Sequence, residues 1–278
     1  MMAEPQHHRL PAGRRISLET CNPSDTGGFG SKEEVKAEMD SLRERLEELQ
    51  ERLAARQERA VLFVFQGMDC SGKDGVIKQV FGRLNPQGFR AHSFKTPTRE
   101  ESSHDFLWRA HKLVPARGQL AAFNRSYYED VLITRVHGTV SDEEAQLKFR
   151  HINHFERMLE DNGVRVVKIF LHISRRFQLE KLIDRIENPD KNWKFDPNDL
   201  VERKSWPLYR RCYEDVFEHC NTEEAPWYAV PSDRRWYRDY AVLRIVVDTL
   251  ERMGLQKPEP QPGLRPLLLD LYAERDER

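Results

Sequence analysis

The chain has 278 residues, of which 33% are charged and 38% are hydrophobic, and its formal net charge is −1. This length allows one substantial core with one or two appendages, and the near-neutral balance argues against a protein that coats nucleic acid. No stretch approaches the ~20 apolar residues of a membrane-spanning helix. Residues 1–10 lack an apolar signal-peptide core and the four cysteines show no metal-like spacing, so a reduced cytoplasm is expected.

The N-terminal part of the chain predicts an arm followed by one long helix. Residues 1–30 are polar and rich in Gly and Pro, which is typical of an extended arm. Ser31 and Glu34 have the spacing of a capping box and predict a helix start. Apolar residues then recur at steps of three and four, at Val35, Met39, Leu42, Leu46, Leu49 and Leu53. Because this seam lasts under three heptads, we expect it to pack on the body of the protein or on a second subunit.

An apolar run at residues 61–65 leads into a glycine-bracketed loop. The spacing Gly67-x-x-x-x-Gly72-Lys73 is typical of a phosphate-binding loop between a strand and a helix. Glycines let successive backbone N–H groups converge on phosphate oxygens. The helix predicted at residues 73–84 adds its positive dipole end, and Lys73 adds a mobile cation. The loop therefore predicts a phosphate site rather than a plain strand, turn and helix.

Two carboxylates in this loop indicate a metal. Asp74 stands where the usual motif has Ser or Thr, whose hydroxyl binds magnesium, and Asp69 lies inside the loop. Two acids would repel a phosphate unless a metal lies between them, so the loop favours phosphoryl transfer with a carboxylate-rich magnesium site. Asp69 is the first candidate for a magnesium-side or proton-accepting carboxylate, and the alternative is a turn residue. Asp74 is either metal-linked or an acid favoured at a helix N-terminus.

Beyond the first helix, predicted strands alternate with helices. The strands are predicted at residues 61–66, 89–94, 119–123, 165–173 and 226–230. Capping boxes beginning at Thr98 and Ser141 start two helices, and Gly163 is placed to end the second. This alternation predicts an α/β fold with a five-stranded parallel sheet and helices on both faces. Ligands then bind at the carboxyl ends of the strands, where Gly67 and Asn124 both fall.

Four segments carry a resemblance to a known family. They are the loop together with Asn-Pro-Gln-Gly at 85–88, Phe-Asn-Arg-Ser-Tyr-Tyr-Glu-Asp at 123–130, Asn-Pro-x-x-x-Trp-Lys-Phe at 188–195, and Ala-Pro-Trp-Tyr-Ala-Val-Pro at 225–231. In this order they resemble the polyphosphate kinase 2 family, from about residue 16 to about residue 253. The resemblance implies a thymidylate-kinase-like fold, which is a P-loop kinase three-layer sandwich with a helical lid. It also implies transfer of a terminal phosphoryl group between inorganic polyphosphate and a nucleotide, aided by Mg²⁺ or Mn²⁺.

The resemblance also bears on the substrates. Residues 72–117 carry nine Lys/Arg and four Asp/Glu, a basic stretch along which polyphosphate would run. Many relatives begin the strand-end motif with Asp as a magnesium ligand, whereas this chain has Asn124, which removes one negative charge. The version found here resembles the branch that accepts AMP as well as ADP. We therefore expect AMP, ADP and ATP as partners, and Glu129 is the candidate that tunes which nucleotide fits.

The resemblance then assigns roles residue by residue. The expected catalytic residues are Asp69, Lys73, Arg125 and Arg185. The expected phosphate- or nucleotide-binding residues are Gly67, Ser71, Gly72, Lys73, Asp74, Asn124, Glu129 and Lys194, and the expected magnesium ligands are Asp69, Asp74 and Asn124. Arg125 would clamp a phosphate bidentately, and its alternative is a surface ion pair. Arg185 is the lid arginine, whereas Arg175 and Arg176 are left open between phosphate contact and solvation.

Several expectations concern organisation. The predicted divisions are an arm with an amphipathic helix at 1–58, a P-loop kinase domain at 59–255 with a lid near 175–205, and a C-terminal arm at 256–278. The Leu-rich tail is expected to dock as a short arm. The heptad seam and the resemblance favour a homo-oligomer, a dimer or a tetramer, with no nucleic-acid or membrane partner. Cys70 is interpreted as a small spacer rather than a reactive thiol, and Trp193 and Trp206 either stack on a base or pack the lid.

Two other functions remain open at this level. The loop also fits an ATP-dependent nucleoside monophosphate kinase, although Asp74 and the motif at 124–126 favour polyphosphate. A non-catalytic P-loop protein that binds nucleotide is a third interpretation, which the weaker metal ligand Asn124 supports. Asp69, Lys73 and Arg125 argue against it, because phosphoryl transfer depends mainly on positioning and on neutralising charge.

Overall fold

The computed structural model describes residues 8–257 and 263–276. Its strands are β1 Ala60–Gln66, β2 Phe89–Ser93, β3 Leu120–Asn124, β4 Val164–His172 and β5 Trp227–Pro231. Its helices are α1 Lys32–Arg56, α2 Lys73–Phe81, α3 Arg99–Ser102, α4 Trp108–His111, α5 Ile133–Val136, α6 Asp142–Asp161, α7 Arg175–Glu187, α8 Asn198–Lys204, α9 Trp206–His219, α10 Arg235–Arg252 and α11 Leu264–Asp276. Three 3₁₀ turns span Leu18–Thr20, Tyr127–Val131 and Pro189–Lys194.

The strands form one parallel sheet in the order β2-β3-β1-β4-β5. Each predicted strand is confirmed to within one residue, as is the five-stranded parallel sheet. The central strand β1 is buried along its whole length, as expected for a strand with helices on both faces. It pairs with β3 and β4, so the loop after β1 and the end of β3 lie side by side at the carboxyl edge.

Two hydrophobic cores lie on opposite faces of the sheet. Val61, Phe63 and Phe65 of β1 join the core under α1, α2 and α10. Leu62 and Val64, which point the other way, join the core under α6 and α9. This three-layer arrangement confirms the predicted fold class. Within the described residues, no helix is long and apolar enough to cross a membrane.

Helix α1 packs on the body, as one of the two interpretations of its seam predicted. All six seam residues are buried, and the helix lies along α10. The capping box at its start is not formed, since Ser31 makes no side-chain cap to the backbone. Instead, the Glu34 carboxylate accepts from the Gly30 N–H at 3.1 Å and from the Ser31 hydroxyl at 3.2 Å. The boxes at Thr98 and Ser141 do form.

Two other boundaries differ from expectation. Helix α2 ends at Phe81 rather than at residue 84, because the chain turns at Gly82, the C-cap. The tail does form a helix, α11, but its described leucines are 45–63% exposed and do not dock on the described body. The two cores of that body are already covered by α1 and α10 on one face and by α6 and α9 on the other. The division into arm, kinase domain and C-terminal arm stays a prediction, and residues 1–7 and 258–262 lie outside the described part.

Candidate active site

The loop between β1 and α2 needs glycine at both of its brackets. Gly67 has φ of 153°, and a Cβ there would lie 2.8 Å from the Leu171 carbonyl oxygen and from Ser71 Oγ. Gly72 has φ of 88°, and a Cβ there would lie 2.1 Å from Nη1 of Arg238. Ser71 is fully buried between them. A Cβ at Gly67 would meet backbone and displace the loop, and the positive φ of Gly72 disfavours any other residue there, so the tight turn depends on these two glycines.

Lys73 begins α2 and folds back over the loop. Its Nζ donates to the carbonyl oxygens of Gly67 at 2.8 Å and Met68 at 3.3 Å. Burial and then the positive charge of Arg125 lower the pKa of Lys73, while neighbouring carboxylates oppose this shift. The ammonium is thus held where phosphate oxygens would exchange for loop carbonyls.

The end of β3 brings a second cation to the loop. Arg125 has φ of 60°, in the left-handed region that residues other than glycine rarely occupy. Its Nη2 lies 2.6 Å from Asp69 Oδ1, and its Nη1 lies 3.9 Å from Glu129 Oε2. Burial lowers the pKa of Arg125, but Glu129 and Asp69 outweigh that effect and raise it. The ion pair expected as the alternative role therefore exists, but it lies inside the cleft and joins two candidate catalytic residues.

A buried polar network supports this strand end. The hydroxyls of Tyr127 and Tyr128 both donate to Glu156 at 2.8 Å. Lys168 of β4 binds the other oxygen of Glu156 at 2.5 Å and the Cys220 carbonyl at 2.6 Å. The four side chains are almost completely buried, at 0–1% exposure. Because their polar groups are paired, the network fixes the backbone on which Arg125 and Glu129 lie.

The predicted magnesium ligands are partly engaged with each other. Asn124 Nδ2 donates to Asp74 Oδ1 at 2.5 Å, and Asp69 is paired with Arg125. Over residues 8–257 and 263–276, no three His, Cys, Asp or Glu side chains are placed to hold a metal by themselves. The donor set is nevertheless all oxygen, which suits Mg²⁺, an ion that usually keeps waters and takes one or two carboxylates plus substrate phosphates. These residues fit a metal that binds together with phosphate.

A cavity of about 320 Å³ opens between the loop, the strand end and the lid. Gly67, Asp69, Arg125 and Glu129 line it from the sheet side. Burial raises the pKa of Glu129, and Arg125 and Lys73 oppose that shift. Glu129 is therefore a half-buried carboxylate in the cavity wall, next to Arg125 and the loop.

Three lid residues that the sequence analysis did not single out complete this cavity. Gln178 is 3% exposed and donates to the Asp69 carbonyl at 3.0 Å. Its Oε1 accepts from Arg203 at 2.8 Å, and Tyr209 donates to Glu202 at 2.6 Å. A polar residue one turn after the Ser174 cap, on a face that also carries Leu182, is a signal that would have marked Gln178. Arg203 and Tyr209 carry no such signal.

The predicted lid residues are placed unequally. Arg185 binds Asp199 at 2.8 Å and the Lys194 carbonyl at 3.2 Å, which ties α7 to α8. Arg176 is 88% exposed and pairs with Glu180, so its solvated interpretation holds in this conformation. Lys194 is exposed with its Nζ 4.9 Å from the centre of the Trp193 ring, and it does not join the cluster.

Three further residues are interpreted from their surroundings. Trp206 lines the cavity, whereas Trp193 is 79% exposed. Burial raises the pKa of Cys70 to about 11, and Arg185 opposes this shift. A thiol with this pKa is mostly protonated at neutral pH, which agrees with the spacer interpretation.

The chain is similar to several known proteins. A family model described as polyphosphate kinase 2 matches residues 30–258. A Meiothermus ruber protein named AMP/ADP-polyphosphate phosphotransferase is 43% identical over 264 residues, which cover 95% of this chain and 99% of that protein. A Rhodopseudomonas palustris protein named ADP-polyphosphate phosphotransferase is 38% identical over 99% of both chains. The crystal structure of a polyphosphate kinase 2 from Arthrobacter aurescens superposes with a TM-score of 0.92 at 39% identity, covering 96% of this chain and 97% of that one.

Proposed function

The chain belongs to the polyphosphate kinase 2 family, and we propose that it transfers the terminal phosphoryl group of inorganic polyphosphate to ADP and to AMP. In the forward direction an oxygen of the nucleotide's terminal phosphate forms a bond to the end phosphorus of the chain. The bond from that phosphorus to the bridging oxygen breaks, and the polyphosphate is left one unit shorter. The reverse reaction lengthens polyphosphate at the expense of ATP.

The observation that supports this proposal most is the convergence of Asp69, Lys73 and Arg125. The loop after β1 and the end of β3 bring one carboxylate and two cations together, at 2.6 Å for the Arg125–Asp69 pair. Phosphoryl transfer needs positioning and neutralisation of charge rather than covalent help from the protein. Two cations on adjacent strand ends meet that need.

The roles follow from the geometry. Lys73 would exchange its loop carbonyls for oxygens of the transferred phosphate. Arg125 would release Asp69 and bind a phosphate with both of its Nη groups. Asp69, once released, would accept a proton or hold a metal. Arg185, now paired with Asp199, would reach the transferred group when the lid closes.

Asp69, Asp74 and Asn124 are the residues that would hold Mg²⁺. The ion would supply charge neutralisation between the phosphates of donor and acceptor. Asn124 contributes an uncharged oxygen, so this set is less negative than one with a third carboxylate. Manganese has the same preference for oxygen ligands and would fit the same set.

Use of both AMP and ADP rests on Glu129. Its side chain lines the cavity beside Arg125, where the acceptor's phosphates and sugar would pass. A carboxylate whose pKa is raised by burial favours a neutral or hydrogen-bonding partner over a further phosphate. Glu129 would therefore set how far the acceptor enters. A homo-oligomer and a cytoplasmic location stay predictions.

The test is nucleotide turnover with magnesium, in which AMP or ADP is offered with polyphosphate and, in parallel, with ATP as the only donor. ADP from AMP, and ATP from ADP, only in the presence of polyphosphate are the expected results. ADP formed from AMP and ATP alone would identify a conventional monophosphate kinase instead. Nucleotide binding without turnover in any arm would identify a binding protein.

A further inference from the structure

A second cavity, separate from the catalytic one, lies between the starts of α1 and α10 and the outer side of α2. Its volume is about 580 Å³. Besides Arg43, which is paired with Asp40, four cationic side chains line it: Lys32, Lys36, Arg234 and Arg235. All four are exposed, and within the described residues none of them has a hydrogen-bond or ion-pair partner for its charged group. The cavity therefore presents unpaired positive charge to solvent.

The carboxylates of this cavity are already paired. Asp40 accepts from Arg43 at 2.8 Å. Asp233 accepts from the Ser174 N–H at 2.8 Å and from the Ser24 hydroxyl at 3.0 Å. Asp239 accepts from Arg238 at 2.6 Å. Asp40 and Asp239 are thus paired with arginines, whereas Asp233 has only neutral donors, so a single carboxylate that no arginine neutralises faces the four cations.

One wall of the cavity is the first turn of α10. This helix has 18 residues, and its N-cap, Arg234, makes no side-chain hydrogen bond to the turn. The N–H groups of a first turn have no partner within the helix and favour anions. The N-terminus of α10 therefore adds to the attraction that the four unpaired cations exert on an anion. Trp236, in the same turn, closes the cavity from the side of the core.

A single ion pair connects this cavity to the phosphate loop. Asp239 lines the cavity and binds Arg238, the residue before it. Arg238 is 4% exposed, lies against Gly72 and approaches the Ser71 carbonyl at 3.4 Å. The Arg238 side chain therefore lies between the phosphate-binding loop and the cavity.

Helix α7 of the lid lines the catalytic cavity and comes near Arg235 of the second cavity. Gln178 faces the catalytic cavity. Lys181, one turn later, is close enough to Arg235 that burial and then this arginine lower the pKa of the lysine. Lys181 of the lid therefore lies close to the cationic lining of the second cavity.

We propose that the cavity lined by Lys32, Lys36, Arg234 and Arg235 binds the distal phosphates of a long polyphosphate chain whose end occupies the phosphate loop. The inference rests on the proposed function for the identity of the substrate. A chain with a charge on every unit gains from each additional cation along its path, whereas a short chain that fills only the loop does not. The cavity would thereby make the enzyme prefer long donors.

The test compares a double variant, Lys36→Gln with Arg234→Gln, with a control double variant, Arg150→Gln with Arg157→Gln. The control residues are exposed arginines of α6 outside both cavities, so each pair removes two positive charges. Equilibrium binding of long-chain polyphosphate and of tripolyphosphate to the full chain is measured by calorimetry without nucleotide. We expect the cavity variant to weaken long-chain binding about five- to tenfold, as the loss of two partly exposed charge contacts implies. Tripolyphosphate binding should be unchanged, and the control should bind both as the parent does.

Equal weakening for both lengths, or equal effects in the two double variants, would overturn the inference. A second readout is the KM for ADP with polyphosphate as donor, which should not change in the cavity variant. A raised KM for ADP would make the cavity a nucleotide site instead and would also overturn it. Failure of the proposed function would appear separately, as a parent protein that binds polyphosphate but transfers nothing. The length dependence of binding would still decide the inference in that case.

Discussion

The two walls of the catalytic cavity are built differently. The sheet wall consists of the loop after β1 and the end of β3, and it rests on the fully buried β1 and on the network around Glu156 and Lys168. The lid wall, by contrast, has only Gln178 and Leu182 buried in α7 and no buried residue in α8. It is held by ion pairs such as Arg185–Asp199 and exposes Ile183, Ile186 and Val201.

This difference separates positioning from closure. A wall with many buried contacts opens only at a high free-energy cost, whereas a wall with few opens locally. The sheet wall can therefore hold Lys73 and Arg125 before substrate binds, and the lid can supply Arg185 afterwards. Variants on the sheet wall should affect transfer or stability strongly, and variants on the lid should affect transfer with little change in stability.

The largest effect is expected for Lys73→Ala. Loss of the cation that begins α2 and folds back over the loop should reduce phosphoryl transfer by about 10³-fold, the upper end of the range typical for removal of a charge-stabilising group. The melting temperature should change little, because the ammonium bonds that the structure shows all go to the loop itself, to the Gly67 and Met68 carbonyls and the Ser71 hydroxyl. Turnover and thermal unfolding are measured together with Lys78→Ala, an exposed lysine on the same helix, as control. Near-normal turnover of Lys73→Ala would remove this residue from the mechanism.

Asp69→Asn should reduce turnover by about 10²- to 10³-fold. The amide keeps the shape of the side chain but removes the charge that pairs with Arg125 and would hold a metal. The comparison is Asp74→Asn, whose carboxylate is exposed and bonded to Asn124. Steady-state rates at saturating magnesium distinguish the two residues. A mild loss for Asp69→Asn would reassign this residue as a turn former.

Lys168→Met tests the support of the sheet wall. Glu156 would remain buried without its cation, and breaking a buried pair in this way costs about 3–5 kcal/mol of unfolding free energy. Denaturant unfolding measures this cost. Arg157→Met, which removes a pair with exposed Asp161, is the control and should cost less than about 1 kcal/mol. Equal small costs would mean that the network does not stabilise the strand end.

Arg185→Gln tests the lid. If this arginine stabilises the transferred phosphate, kcat should fall by about 10- to 100-fold, while the unfolding free energy should change by less than about 1 kcal/mol. Arg176→Gln, on the same helix but 88% exposed, should leave kcat unchanged. A loss of stability that accounts for the loss of activity would assign Arg185 a structural role only.

The smallest effect is expected for Glu129→Gln. The ratio of kcat/KM for AMP to that for ADP should change several-fold, because the side chain lines the acceptor cavity next to Arg125. Each factor of ten in this ratio corresponds to about 1.4 kcal/mol of differential binding in the transition state. Competition between the two nucleotides in one assay measures the ratio directly. An unchanged ratio would refute the role of Glu129 in acceptor choice.

The sequence predicted the sheet wall well for a physical reason. Buried parallel strands are continuous apolar runs, so residues 61–65 marked β1, and the rule that parallel strands end at one edge placed Gly67 beside Asn124. The proximity of Asp69 and Arg125 followed from the same rule. Local patterns therefore suffice where the site is built from strand ends.

The lid wall and the second cavity were not predictable in this way. The contact from Gln178 to Arg203 spans 25 positions, and that from Ser71 to Arg238 spans 167. Such contacts depend on how helices cross, which no periodicity in the sequence records. The prediction of a capping box at Ser31 was wrong, because the Glu34 carboxylate accepts a hydrogen bond from the Gly30 N–H instead. The expected docking of the tail was wrong because the described leucines of α11 remain exposed.

The most direct test of the central claim follows phosphorus itself. Phosphorus NMR of polyphosphate, ADP, magnesium and the protein resolves the end groups of polyphosphate from the γ-phosphate of ATP. We predict that the γ-phosphate signal grows while the internal polyphosphate signal falls by the same amount, and that Lys73→Ala shows neither change. ATP that appears without loss of polyphosphate, or polyphosphate that is lost only as free phosphate, would contradict the account.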